Sequence, residues 1–187
     1  MTTALVIVDV QQGFDMPRWP PSTNPECEAN IARLVAAWQE AGEPIVVVRH
    51  DSTMESSELH PSKPGNALKP EADVADPALF VTKSVNSAFY GEPDLDAWLK
   101  GSEIQDIVVC GIQTNMCVET TARMGGNLGY RVTVPLDATR TFDLSTTLPD
   151  GTERTIPATE LMEATAVNLA GGRFASIVST DQVIAAL

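Results

Sequence analysis

The sequence predicts an α/β fold: a doubly wound, mostly parallel sheet with helices on both faces. Three observations carry that prediction. Short β-branched runs recur along the chain, and they are continuously apolar rather than alternating, as strands buried on both faces are. Segments with apolar residues three and four apart lie between them, the spacing of a one-sided helix. Strand, helix and strand in that order need crossover connections, which make the pairing parallel.

The elements follow in order. "ALVIVDV" (4–10) is the first strand, and a connection rich in glycine and proline, "QQGFDMPRWPPSTNP", leaves it. "ECEANIARLVAAWQEAG" sets Ile31, Leu34, Val35 and Trp38 on one helical face, with Gly42 as the stop. "PIVVVR" (44–49) is the second strand. Residues 50 to 78 are polar and broken by proline and glycine, and so long an irregular insertion in a compact domain is usually functional or mobile. "LFVTK" (79–83) resumes the sheet, "EPDLDAWLKGSE" is a short helix, and "DIVVCGI" (106–112) is a further apolar strand. A helix is expected from about Asn115 to Leu128, ending at Gly129, before the strand "YRVTVP". "IPATELMEATAVNLAG" is a helix with Pro157 near its first turn and Gly171 at its end. "FASIVST" and "DQVIAAL" complete the alternation. With no repeats, low-complexity tracts or linkers, residues 1–187 read as one domain, a Rossmann-like three-layer sandwich.

Composition narrows the function. Twelve Lys+Arg against 25 Asp+Glu give a formal charge of −13, which repels nucleic acid and anionic membranes and leaves a small molecule as the expected partner. No apolar run approaches the roughly 20 residues that cross a bilayer. No signal peptide precedes the first strand, so a cytoplasmic location is expected. Three cysteines, Cys27, Cys110 and Cys117, are too few for a disulfide framework or a zinc ribbon.

In doubly wound sheets ligands sit beyond the carboxyl ends of the strands. That edge collects Asp9, Arg49, His50, Lys83 and the start of "QTNMC". Asp9 alone reads as a loop-capping carboxylate, and Lys83 alone as a solvated strand end. Together, at neighbouring strand ends, they suggest a charge pair, because an ionised carboxylate in an apolar strand is costly unless partnered. Cys117 follows a strand–glycine turn and opens a helix, where backbone amides and a nearby lysine are expected to lower the pKa of a thiol. Cys110, inside "IVVCG", reads as a small core residue and Cys27 as inert.

These positions and their surroundings resemble the isochorismatase-like cysteine hydrolase superfamily, which includes nicotinamidases, N-carbamoylsarcosine amidases and other amidases. The resemblance runs through "LVIVDVQQGF", "VTKSVNSAF", "VVCGIQTNMCVETTARMGGNLGYRV" and the "DAT" at 137–139. It implies a catalytic triad of Asp9, Lys83 and Cys117. It also implies a cis peptide at Ile112–Gln113, an oxyanion hole from the amides of Gln113 and Cys117, and a homo-oligomer. Asp9 would move the proton, Lys83 would favour the thiolate, and Cys117 would attack a carbonyl carbon.

Nicotinamidases hold a metal with an Asp-x-His pair after the second strand. Here the residue two beyond Asp51 is Thr53, and only His50 and His60 exist. Neither a metal nor another cofactor is therefore expected, and the resemblance is to a metal-free, amidase-type branch. A complete Asp-Lys-Cys set favours cleavage of a C–N bond in an amide, ureide or carbamoyl group over isochorismatase-type vinyl-ether hydrolysis. Phe14, Trp19, Asn86, Phe89 and Tyr90 are candidate pocket walls, with core packing or a subunit contact as the other reading of Trp19 and Phe89. His50 is a candidate hydrogen-bond donor to substrate, or a loop histidine without a role. Glu119 and Arg123, four apart, read as a structural ion pair. Three rival functions stand beside the amidase: a Cys110–Cys117 redox couple, a noncatalytic binding domain, and a papain-like dyad of Cys117 with His50.

Overall fold

The computed structural model describes residues 2–17 and 19–187. Six parallel strands form the main path of the sheet: β1 (Thr3–Val8), β2 (Ile45–His50), β3 (Leu79–Lys83), β4 (Asp106–Ile112), β5 (Arg131–Pro135) and β9 (Ser176–Val178). Their spatial order is β3-β2-β1-β4-β5-β9, and the short β6 (Thr139–Arg140) pairs with the end of β4 to make a seventh strand. The order reverses between β1 and β4, which is the switch point where a crevice opens above the sheet.

The helices divide between the two faces. α1 (Cys27–Ala41) and α5 (Thr180–Ala186) cover one side, where Ile31, Leu34, Trp38 and Val183 pack on Leu5, Ile7, Val47 and Cys110. On the other side α2 (Leu95–Gly101), α3 (Glu119–Leu128) and α4 (Ala158–Gly171) accompany a core of Val6, Val8, Val48, Val109, Leu95, Ala122 and Leu169. β1 is buried from Ala4 to Val8, since both faces of that central strand are covered. Gly42 ends α1 in the left-handed region at φ 69°.

Register sets the site. Val8 stands between Val48 of β2 and Gly111 of β4, and His50 stands beside Lys83 of β3. At φ +126° Gly111 brings β4 so close to β1 that an added Cβ would lie 2.0 Å from the Val8 carbonyl oxygen. The peptide between Ile112 and Gln113, one residue on, is cis.

The structure differs from the sequence expectation at three points. β1 stops at Val8, and Asp9 turns out of the strand with φ 55°. The helix expected from Asn115 begins as a π turn, Thr114–Val118, in which the Val118 amide donates to the Gln113 carbonyl at 3.2 Å, and α-helical bonding starts only at Glu119. A segment with no predicted element forms an antiparallel hairpin of β7 (Leu144–Thr147) and β8 (Glu153–Ile156), exposed along both strands except at Ile156.

Candidate active site

Asp9 reaches the site because β1 delivers it at the switch point and its left-handed turn swings it above the strand ends. Aspartate tolerates that conformation better than branched residues do. Its amide still donates to the Val48 carbonyl at 2.9 Å, which keeps the turn attached to β2. Lys83, the last residue of β3, extends back over β2, and its Nζ meets Asp9 Oδ2 at 2.5 Å. Both side chains are fully buried, so the pair is a desolvated one and each charge depends on the other.

Cys117 is the fourth residue of the π turn, with its Sγ 3.7 Å from Asn86 Oδ1. Ligand atoms of Asp9, His50 and Cys117 lie within 4.8 Å of one another, which brings together residues from β1, β2 and the turn after β4. The buried Oδ1 of Asp9 has no hydrogen-bond partner among the described residues.

The electrostatics of the thiol overturn the lowered pKa expected at a helix N-terminus. Burial, and after it the Asp9 carboxylate, pushes the Cys117 thiol well up, and the opposing pull of Lys83 does not compensate. The resting group is therefore a thiol beside an Asp9–Lys83 pair. Cys27 and Cys110 are also raised, chiefly by burial, and all three cysteines are free. Cys110 points into the core under α1, so no disulfide joins it to Cys117.

His50 ends β2 with its imidazole in the site: Nδ1 lies 3.2 Å from Lys83 Nζ and 4.0 Å from Asp9 Oδ2. Burial and the Lys83 charge lower its pKa below the ordinary histidine value. The neighbouring groups are committed elsewhere. Asp51 takes a two-toothed bond from Arg49 (2.8 and 3.0 Å) and one from Asn66, and His60 pairs with Ser62 at 2.8 Å.

The candidate walls separate on inspection. Phe14 is buried in a cluster with Trp19 and Phe142, at ring distances of 5.2 and 6.0 Å, and the Trp19 indole donates to the Gly13 carbonyl. Phe89 packs in the core against Tyr130, with ring centroids 5.7 Å apart, so ordinary packing describes it. Tyr90 is 71% exposed. Asn86 is the candidate that touches the thiol. Gln113 lies at the cis peptide, with its side-chain Oε1 3.5 Å from the Thr141 hydroxyl. Glu119 and Arg123 do pair, at 2.6 Å, and Glu119 also accepts from Thr165.

Two residues missed in the sequence support the site from behind. Gln11 is fully buried; its Nε2 donates to the carbonyls of His50 and Asn66 and its Oε1 accepts from the His50 amide. Asn66, from the long insertion, donates to the carbonyls of His50 and Leu59. The insertion is further tied down by Lys69, which bonds Asp15 and Glu28 at 2.6 Å each, and Arg140 bridges the same two carboxylates.

Residues 3–170 match the Isochorismatase domain family. The chain belongs to the isochorismatase family of hydrolases. It is 36% identical over 181 residues to the uncharacterized isochorismatase family protein YrdC of Bacillus subtilis (strain 168), covering 97% of this chain and 94% of that protein. It is 31% identical over 174 residues to the ureidoacrylate amidohydrolase RutB of Cronobacter turicensis, covering 73% and 74%. The crystal structure of an isochorismatase-family protein from Chromobacterium violaceum superposes with a TM-score of 0.88 at 34% identity, covering 99% of this chain and 93% of that one. Within that family the strand-end cluster around Cys117 lies where doubly wound folds place their ligands.

Proposed function

We propose that this isochorismatase-family chain hydrolyses a C–N bond of a small amide, ureide or carbamoyl compound through a covalent acyl-enzyme on Cys117. The observation that carries the reading is a thiol placed within reach of a buried carboxylate–ammonium pair and held in its protonated form by burial. A group in that state needs a base at the moment of attack, and Asp9 Oδ1 is an unengaged acceptor there. The amidase activity named for the Cronobacter relative supports the same class of substrate.

Asp9 takes the Sγ proton as sulfur attacks the carbonyl carbon, and the carbonyl π electrons move to oxygen. We assign the amides of Gln113 and Cys117 to that oxyanion, a donor pair in which each member is worth about 3–4 kcal/mol of barrier. Collapse of the adduct breaks the C–N bond, and Asp9 returns its proton to the leaving nitrogen. Water then attacks the thioester with Asp9 again as base, and the proton ends on the departing thiolate. Lys83 keeps the carboxylate in place and favours the thiolate as it forms. Ammonia or amine release from small amides, ureides and N-carbamoyl amines tests the reading. Wild type should turn over at least one of them, and Cys117→Ala should lose about a thousandfold or more. A variant as fast as wild type would exclude covalent catalysis at this sulfur.

A further inference from the structure

The proton and charge positions above need an ammonium that stays put. Lys83 has three N–H donors and lies at a site with few acceptors. Two acceptors face it: Asp9 Oδ2 at 2.5 Å and His50 Nδ1 at 3.2 Å. An ammonium cannot accept, so the contact with His50 requires Nδ1 to be unprotonated and the ring proton to sit on Nε2.

The backbone that carries the imidazole is itself held. The His50 amide and carbonyl are both clasped by the buried Gln11 side chain, at 2.9 and 3.0 Å, and Asn66 Nδ2 adds a bond to the same carbonyl at 3.1 Å. Asn66 also bonds Asp51 Oδ1 at 2.9 Å, and Asp51 is anchored by Arg49. Two segments, the turn after β1 and the long insertion, therefore converge on the backbone of one histidine at the end of β2. That amount of buried polar structure exceeds what a loop without a role requires.

We propose that His50 is a positioning residue of the hydrolytic centre, whose unprotonated Nδ1 fixes the Lys83 ammonium on Asp9, with Gln11 and Asn66 holding the backbone that carries the ring. It acts through Lys83 and takes no proton in the reaction. The proposal rests on the hydrolase reading for its consequence, although its geometry can be tested without turnover. The charged and titratable groups facing the ring are Lys83 on β3, Asp9 beyond β1, Asp51 beside it and Cys117 on the π turn. Protonation of Nδ1 would set two cations side by side and remove an acceptor from Lys83.

Nitrogen-15 NMR of the imidazoles is the direct test. His50 should appear as the Nε2–H tautomer and titrate below the ordinary histidine value of about 6.5. Lys83→Met should raise its midpoint. An Nδ1–H tautomer in wild type, or a midpoint unmoved by Lys83→Met, would overturn the proposal. A second readout is the rate at which iodoacetamide alkylates Cys117 at pH 7, followed by mass spectrometry. Loss of an orienting partner should slow it about tenfold in His50→Ala, while His50→Gln, which keeps an acceptor, should recover most of the rate. Equal rates in wild type and His50→Ala would refute the role, and so would a His50→Gln variant as slow as His50→Ala. Failure of the hydrolase reading shows separately, as unchanged amide turnover in Cys117→Ala.

Discussion

Lys83 Nζ and Asp9 Oδ2 meet at 2.5 Å across two strands, with neither side chain exposed to solvent. A pair this dry stabilises little on balance, yet removal of one member strands the other charge in the core. Asp9→Asn and Lys83→Met should each destabilise the fold by about 3–5 kcal/mol in urea unfolding. The double variant should regain much of that stability while remaining inactive. A double variant as unstable as the sum of the singles would show that the two charges do not answer each other.

The raised thiol makes a kinetic prediction. Alkylation of Cys117 should climb through the alkaline range without a plateau at acid or neutral pH. A flat, fast rate below pH 7 would indicate a preformed ion-pair thiolate and exclude the resting state described here.

Stability should fall with pH in a window that His50 defines. Its folded pKa is lowered, so the native state holds the neutral ring while the unfolded chain protonates near the ordinary value of about 6.5. The unfolded state binds more protons below that pH. The contribution is thus complete above it and is lost as the pH drops through the folded value. His50→Gln should flatten the chemical-denaturation midpoint across that interval. The remaining acid loss should appear lower, where Glu28 and Asp51, held down by their Lys69, Arg140, Arg49 and Asn66 partners, take up protons.

Gly111→Ala should be among the most damaging small changes in the chain. The new methyl would meet the Val8 carbonyl at 2.0 Å, from a backbone conformation that side chains avoid. A loss of about 3 kcal/mol or more is expected, read as a shift in urea midpoint. Gly42→Ala, also at positive φ but with open space around it, should cost only about 1 kcal/mol.

Much of this arrangement was legible in the residues. β4 spans the apolar run expected for it, because a strand buried on both faces has few polar positions to blur its limits. The same logic placed Asp9, Lys83 and Cys117 on one edge of the sheet. The π turn was not legible, since it depends on i−5 bonds, from Val118 to Gln113 and from Glu119 to Thr114, that no residue type signals. The state of the thiol was misread because a helix-dipole argument ignores burial and the sign of the nearest side chain, and both favour the neutral form of Cys117. Gln11 and Asn66 look like ordinary loop amides until the fold brings His50 between them. The hairpin after β6 does carry a signal, the Asp150–Gly151 pair between threonine-rich stretches.

That hairpin offers a practical handle. β7 and β8 pair with each other in register from Leu144–Ile156 to Thr147–Glu153, and the tip between them, Leu148–Thr152, contributes nothing to either core cluster. An epitope or fluorophore-accepting peptide spliced between Asp150 and Gly151 would lengthen an exposed turn, so a label could be carried there with both cores left undisturbed.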